Sequence, residues 1–145
     1  MLTNECTEIY PYFTFQRISE KKLEEIQKIL EMEELEEKKE DPRLLCKQCK
    51  NIITSQENAI FINGNHLHIF TNPSGVIFEI GCFSIAEGCI NHGQPTFDFT
   101  WFPGFAWRFC LCSNCRNHMG WFYQSSTEGS FYGLISANLI KGGNP

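Results

Sequence analysis

The chain has 145 residues, 42% hydrophobic and 14% aromatic, with a formal net charge of -5. That length suffices for one domain with its own core, but it holds no apolar run of about 18 residues that could cross a membrane as a helix. The stretch 20–41 carries ten acidic residues and five lysines and the remainder is neutral, so the part from Arg43 onward lacks the basic surplus with which nucleic-acid binders neutralise phosphates.

Neither a nucleic acid nor a membrane is therefore an expected partner. The first ten residues also lack the basic start and apolar stretch of a secretory signal. Eight cysteines without such a signal point to a reducing cytoplasm and metal binding more than to a disulfide framework.

In chain order, Ser19 caps a predicted helix over about 20–39, which 41–42 ends because the residue before Pro42 is pushed out of helical geometry. Leu23, Ile26, Ile29, Leu30 and Leu35 give this charged rod a narrow apolar stripe, suited to packing along a domain or to docking another protein. From Leu44 the period shortens to β-like runs, and thirteen phenylalanines favour aromatic-packed sheets over a helical bundle. Ala59-Ile60-Phe61-Ile62 and Leu67-His68-Ile69-Phe70 flank Asn63-Gly64-Asn65 and predict a hairpin, since Asn-Gly takes positive φ readily. Asn72-Pro73-Ser74-Gly75 is a second turn, leading into a strand over 76–80. A looser Gly-rich stretch over 81–95 is followed by strands predicted over 96–101, 105–111, 120–125 and 131–135.

Cys46-x2-Cys49 and Cys112-x2-Cys115 stand 62 residues apart. Each pair can turn two thiolates onto one ion, and two pairs complete the tetrahedral shell of one structural Zn2+, stapling the two ends of a domain. Trp101, Trp107 and Trp121 crowd around the second pair, with Tyr123 on the strand face of Trp121 by the period of two. Such aromatics serve equally as core, as a cage for methylated ammonium groups, or as a clasp for a small flat neutral ring.

These residues resemble the CULT domain family, which includes the thalidomide-binding domain of cereblon and small single-domain bacterial relatives. The resemblance covers roughly 44–140. It rests on the two cysteine pairs, Asn72-Pro73-x-Gly75, Trp101-Phe102-Pro103-Gly104-Phe105-Ala106-Trp107 and His118-Met119-Gly120-Trp121. It implies a mainly β fold, the β-tent, with two small antiparallel sheets packed at a steep angle and pinned by the four-cysteine zinc, here with an N-terminal helix. It divides the chain into an N-terminal segment 1–42, a ligand-binding domain 43–140 and a tail 141–145. It implies a non-catalytic cage for cyclic imides such as glutarimide and thalidomide-type compounds, cyclised Asn or Gln C-termini, or uracil-like rings. Trp101, Trp107 and Trp121 are the implied walls, Tyr123 the floor, and Asn72 and Pro73 the rim, with Phe78 and Thr100 among the binding positions. The imide's N–H would meet the Phe99 carbonyl and one imide carbonyl the Trp101 N–H.

Phe99 stands where cereblon has a histidine, which removes one side-chain hydrogen bond worth about 1 kcal/mol. Ser74 replaces another rim histidine. With 42 residues ahead of the zinc domain, the Lon-like domain that attaches cereblon to its ubiquitin ligase is expected to be missing, and no ligase-receptor role is implied. The enzyme alternative is a B-type methionine sulfoxide reductase, a similar zinc-stapled β fold, using one of the cysteines left over from the zinc: Cys6, Cys82, Cys89 or Cys110. Cys110 sits between Phe109 and Leu111 with only Arg108 as a basic neighbour. His66, His68, His92 and His118 form no catalytic spacing, and His118 reads as a packing residue near the knuckle.

Every motif lies beyond Leu44, so a variant lacking residues 1–40 should keep its zinc stoichiometry and its ligand affinity. A truncated protein that folds yet loses affinity, measured by titration, would show that the helix contributes to the site.

Overall fold

The computed structural model describes residues 18–38 and 40–143. The chain divides into two units, the first ending at Glu40 and the second starting at Asp41. The first unit contains the helix α1 (Glu20–Lys38). Ser19 caps it: the Lys22 N–H donates to Ser19 Oγ at 3.2 Å and the Leu23 N–H to the Ser19 carbonyl at 3.1 Å. The predicted last residue, Lys39, lies outside the described residues.

Among its described residues the second unit holds nine strands: β1 (Arg43–Cys46), β2 (Ile52–Ser55), β3 (Leu67–Thr71), β4 (Ile77–Phe83), β5 (Cys89–Thr96), β6 (Ala106–Cys112), β7 (His118–Ser125), β8 (Gly129–Ile135) and β9 (Leu139–Lys141). They form two antiparallel sheets of unequal size, β2-β1-β9 and β3-β4-β8-β7-β6-β5. The mainly β architecture, the two sheets and the N-terminal helix are those expected from the sequence.

The strand detail departs from expectation in three places. The Asn63-Gly64 turn is present, with φ of +52° and +86°, but the pairing stops at Ile62–Asn65. Ala59 bridges Phe83 and the Ile60 N–H donates to the Cys82 carbonyl at 2.9 Å, so the segment before the turn joins β4 and not β3. The Gly-rich stretch 81–95 is not loose, since Gly81 to Phe83 extend β4 and most of the rest is β5. The strand predicted over 96–101 is a loop, because pairing with β6 ends at Thr96–Trp107.

The second turn behaves as its residues dictate. Asn72 Oδ1 accepts from the Ser74 and Val76 N–H groups at 3.0 and 2.8 Å. Gly75 takes φ +86°, which closes the β3–β4 hairpin.

Two buried clusters divide the core. One surrounds the cysteines at the junction of the sheets, with Leu44, Ile53, Phe83, Met119 and Leu134. The other lies under the tryptophans, with Ile80, Phe102, Tyr123 and Phe131. Strand β7 serves both, because Met119 points into the first and Trp121 and Tyr123 into the second.

Candidate functional site

The four sulfurs of Cys46, Cys49, Cys112 and Cys115 lie within 4.8 Å of one another. The Cys46–Cys115 and Cys49–Cys112 separations are 3.7 and 3.6 Å. A tetrahedral Zn2+ with bonds of about 2.3 Å sets its thiolates about 3.8 Å apart, so the donor set fits one ion with four protein ligands and no open position.

The two knuckles are built alike. The Lys50 N–H donates to the Cys46 carbonyl at 2.8 Å and the Arg116 N–H to the Cys112 carbonyl at 2.9 Å, and Lys50 and Arg116 share φ values of +68° and +69°. Asn51 crosses between them, its Nδ2 reaching Ser113 Oγ at 3.1 Å and Cys112 Sγ at 3.6 Å. Hydrogen bonding from the Asn114 side chain and the Asn51 amide holds the Cys49 thiol down to about 6, favouring the thiolate a metal needs. Cys46 ends β1 and Cys112 ends β6, so an ion here ties the small sheet to the large one.

The loop 97–105 supplies one side of the second feature, an open cavity of ≈ 390 Å3. The Phe102 side chain, 1% exposed, anchors this loop by packing edge-on to Tyr123 and Phe131 at 4.8 and 5.0 Å. A turn closes at Phe105 N–H to the Phe102 carbonyl, 3.0 Å, with Gly104 at φ +93°. Trp101 thereby stacks on Phe70 at 5.0 Å and meets Trp121 edge-on at 4.9 Å. Trp107 donates its indole N–H to the Asp98 carbonyl at 2.8 Å, fastening β6 to the loop.

The register of β6 on β7 pairs Trp107 with Tyr123 and Phe109 with Trp121, which puts all four on one face. Trp121 and Tyr123 are 8% and 1% exposed, and burial pushes the Tyr123 hydroxyl well above its ordinary pKa.

The structure brings Asn72, Pro73, Phe78, Phe99, Trp101, Trp107, Trp121 and Tyr123 to the lining of one cavity. Thr100 is the exception. Its hydroxyl lies within 2.8 Å of the Phe105 carbonyl and 3.3 Å of the Phe102 carbonyl, so it holds the loop's shape and does not line the cavity. Asn72 lines the cavity while its side-chain oxygen is engaged in the hairpin.

Two lining residues were missed, Phe109 and His118. The period of two from Trp107 could have found Phe109. His118 could not be found by alternation, because a bulge at Met119 shifts the pairing from Cys110–Gly120 to Leu111–His118 and moves the imidazole onto the cage face. There it meets Trp121 edge-on at 4.9 Å, its Nε2 lies 2.8 Å from the Gly120 carbonyl, and burial lowers its pKa.

The same bulge depends on Gly120. Its φ is +152°, and a Cβ there would come 2.0 Å from the Gly133 carbonyl oxygen and 2.8 Å from Leu134 Cα. Gly120→Ala should therefore destabilise by about 2–4 kcal/mol and lower the melting temperature by roughly 10 °C. Unchanged melting would show that the strand pair yields without cost.

A β domain with a four-cysteine cluster and a walled aromatic cavity fits a CULT-type ligand-binding module. No family model matches the chain. Among curated proteins it is similar to cereblon from chicken (Gallus gallus), 32% identical over 105 residues, which are 67% of this chain and 23% of that protein. Zebrafish (Danio rerio) cereblon is 30% identical over 103 residues, 67% of this chain and 24% of the relative. Cereblon of Drosophila melanogaster is 25% identical over 111 residues, 72% and 19%. The chain spans about a quarter or less of the length of these relatives. These likenesses, taken with the fold, support a cereblon-like CULT domain. Among the described residues no helix is long and apolar enough to cross a membrane.

Proposed function

We propose that the cavity binds cyclic imides: glutarimide and thalidomide-type compounds, cyclised Asn or Gln C-termini, or uracil-like rings. The protein then acts as a non-catalytic binder in the cytoplasm, of the kind represented by the single-domain bacterial relatives, with one structural Zn2+ on Cys46, Cys49, Cys112 and Cys115. The observation that carries this reading is a pair of free backbone groups. Among the described residues neither the Phe99 carbonyl nor the Trp101 N–H has a hydrogen-bond partner, and both residues line the cavity. They offer an acceptor and a donor two residues apart, the complement of an imide's N–H and its neighbouring carbonyl.

The indoles then cover the aliphatic edge of the ring. Apolar burial at about 25 cal/mol per Å2, offset by association entropy, suits a micromolar ligand of this size. The Phe99 side chain leaves the imide with the backbone pair alone.

Two alternatives predict different ligands. A reader of methylated ammonium groups would use the aromatic faces and leave the free amide and carbonyl unused. A sulfoxide reductase needs a reactive thiol, and Cys110 is unsuited: it is fully buried, and the neighbouring Cys89 thiol and burial together push its pKa far up. Burial likewise raises Cys82 to about 12.

Tryptophan-fluorescence titration with glutarimide, uridine and trimethyl-lysine, run beside a sulfoxide-reduction assay, tests the reading. Saturable quenching by glutarimide with no reductase turnover is the expected result. A response to trimethyl-lysine alone, or turnover of a sulfoxide, would overturn it.

A further inference from the structure

Among the described residues three cysteines stand outside the metal site: Cys82, Cys89 and Cys110. Cys82 and Cys110 are fully buried. Cys89 is half-buried at the start of β5, packed against the core cluster that holds Cys112.

The register of β5 on β6 sets Cys89 directly opposite Cys112. The Ser113 N–H donates to the Gly88 carbonyl at 2.9 Å, so 88–113 is a hydrogen-bonded pair and 89–112, one step along, is not. The two cysteine amides agree. The Cys112 N–H donates to the Asn117 carbonyl at 2.8 Å and the Cys89 N–H to the Ala86 carbonyl at 3.1 Å, neither of them across the β5–β6 ladder. Opposite residues of such a pair lie about 4.5 Å apart at Cα with their side chains on one face. That falls inside the roughly 4.4–6.8 Å that a disulfide spans.

The rival partner is placed less well. Cys110 shares the face, and its thiol neighbours that of Cys89. It stands opposite Asn91, however, which makes it a diagonal neighbour of Cys89, about 7–8 Å away at Cα and at the limit of a disulfide. Access also favours Cys89 as the first thiol to react. Cys46 and Cys112 are fully buried, and the half-buried Cys49 and Cys115 belong to the metal site, whereas Cys89 does not.

We infer that Cys89 and Cys112 are a site of oxidative modification: they close a cross-strand disulfide that takes Cys112 out of the metal site and opens the zinc staple. The inference rests on the structural zinc proposed above. The co-reactant is a small disulfide such as oxidised glutathione. The Cys89 thiol gives its proton to water, and its sulfur attacks the reagent, forming a mixed disulfide and expelling one thiolate. The Cys112 thiolate then attacks Cys89 Sγ and expels the second. The two protein sulfurs give up two electrons in forming their bond, and the reagent takes them up as two thiols. Only Cys46, Cys49 and Cys115 remain as ligands, so the end of β6 is no longer tied to β1. A reducing dithiol reverses both exchanges.

The test treats the full chain, loaded with zinc, with oxidised glutathione. Zinc release is followed with a chromogenic chelator, and the linked cysteines are mapped by mass spectrometry of peptides. The expected product is a Cys89–Cys112 link formed together with zinc loss, both reversed by dithiothreitol once metal is returned. Cys89→Ser should slow zinc loss by roughly tenfold or more, because the adjacent thiol no longer closes the bond intramolecularly. Cys89→Ala is a second variant with the same expectation, and under reducing conditions both should hold zinc and melt as the wild type does. Cys110→Ser should lose zinc within about threefold of the wild-type rate. A main product linking Cys89 to Cys110, a link within the metal site such as Cys49–Cys112, or zinc loss as fast in both Cys89 variants as in the wild type overturns the inference and leaves the zinc reading standing. A purified chain that holds no zinc overturns both.

Discussion

Removal of zinc should unfold the β domain outright. A structural Zn2+ contributes about 10–16 kcal/mol to folding in small zinc modules, and a domain of this size has a total stability of about 5–15 kcal/mol. The ion would tie β1 to the end of β6 across a 62-residue insert, and the cluster around it includes Leu44, Ile53 and Met119 from both sheets. Without the metal, four thiols remain crowded within 4.8 Å with nothing to hold them. Elemental analysis should give one zinc per chain, and chelation or Cys112→Ser should abolish the cooperative melting transition. Cys110→Ser, which alters a buried thiol that is not one of the four metal-site cysteines, should keep the zinc and cost about 1–3 kcal/mol. A zinc-free chain with unchanged melting would contradict the metal assignment.

The second large effect is expected at Trp107. Its ring is a cavity wall, and its N–H to the Asp98 carbonyl, 2.8 Å, also holds the loop that presents Phe99 and Trp101. Trp107→Ala removes both functions at once, and imide affinity should fall by about a hundredfold or more, as for a buried aromatic anchor. Trp107→Phe keeps a wall and loses only the hydrogen bond, so a loss of roughly tenfold is expected. The side chain is half-buried and outside the zinc cluster, so both variants should bind zinc and melt cooperatively. Wild-type affinity in Trp107→Ala would place the ligand elsewhere.

The features legible in the sequence were those with local causes. The Ser19 cap, the Asn72–Gly75 turn and the two cysteine knuckles are each fixed by a few neighbouring residues, and each stands as expected. Asn63-Gly64 shows the limit of local reasoning, because the turn is correct but the choice of partner for Ala59 and Ile60 was settled by β4. The three-stranded sheet escaped residue-level reading because β9 is three residues long and β1 and β2 four each, too short for a period to register. At the site, the tryptophans were visible through their clustering. Phe109 needed the β6–β7 register, and His118 needed a bulge that no alternation rule contains. Thr100 shares the loop of Trp101 but turns its hydroxyl inward to two carbonyls.

The central claim is that Phe99 and Trp101 recognise an imide through their backbone, and one pair of ligands tests it most directly. Glutarimide and N-methylglutarimide present nearly the same apolar surface to the three indoles. Methylation removes the only donor and sets a methyl group against the Phe99 carbonyl. Titrated side by side against the wild-type chain, glutarimide should bind in the micromolar range and the N-methyl compound should show no saturable binding. Equal affinity for the two would contradict the proposed mode, even with the aromatic cage intact.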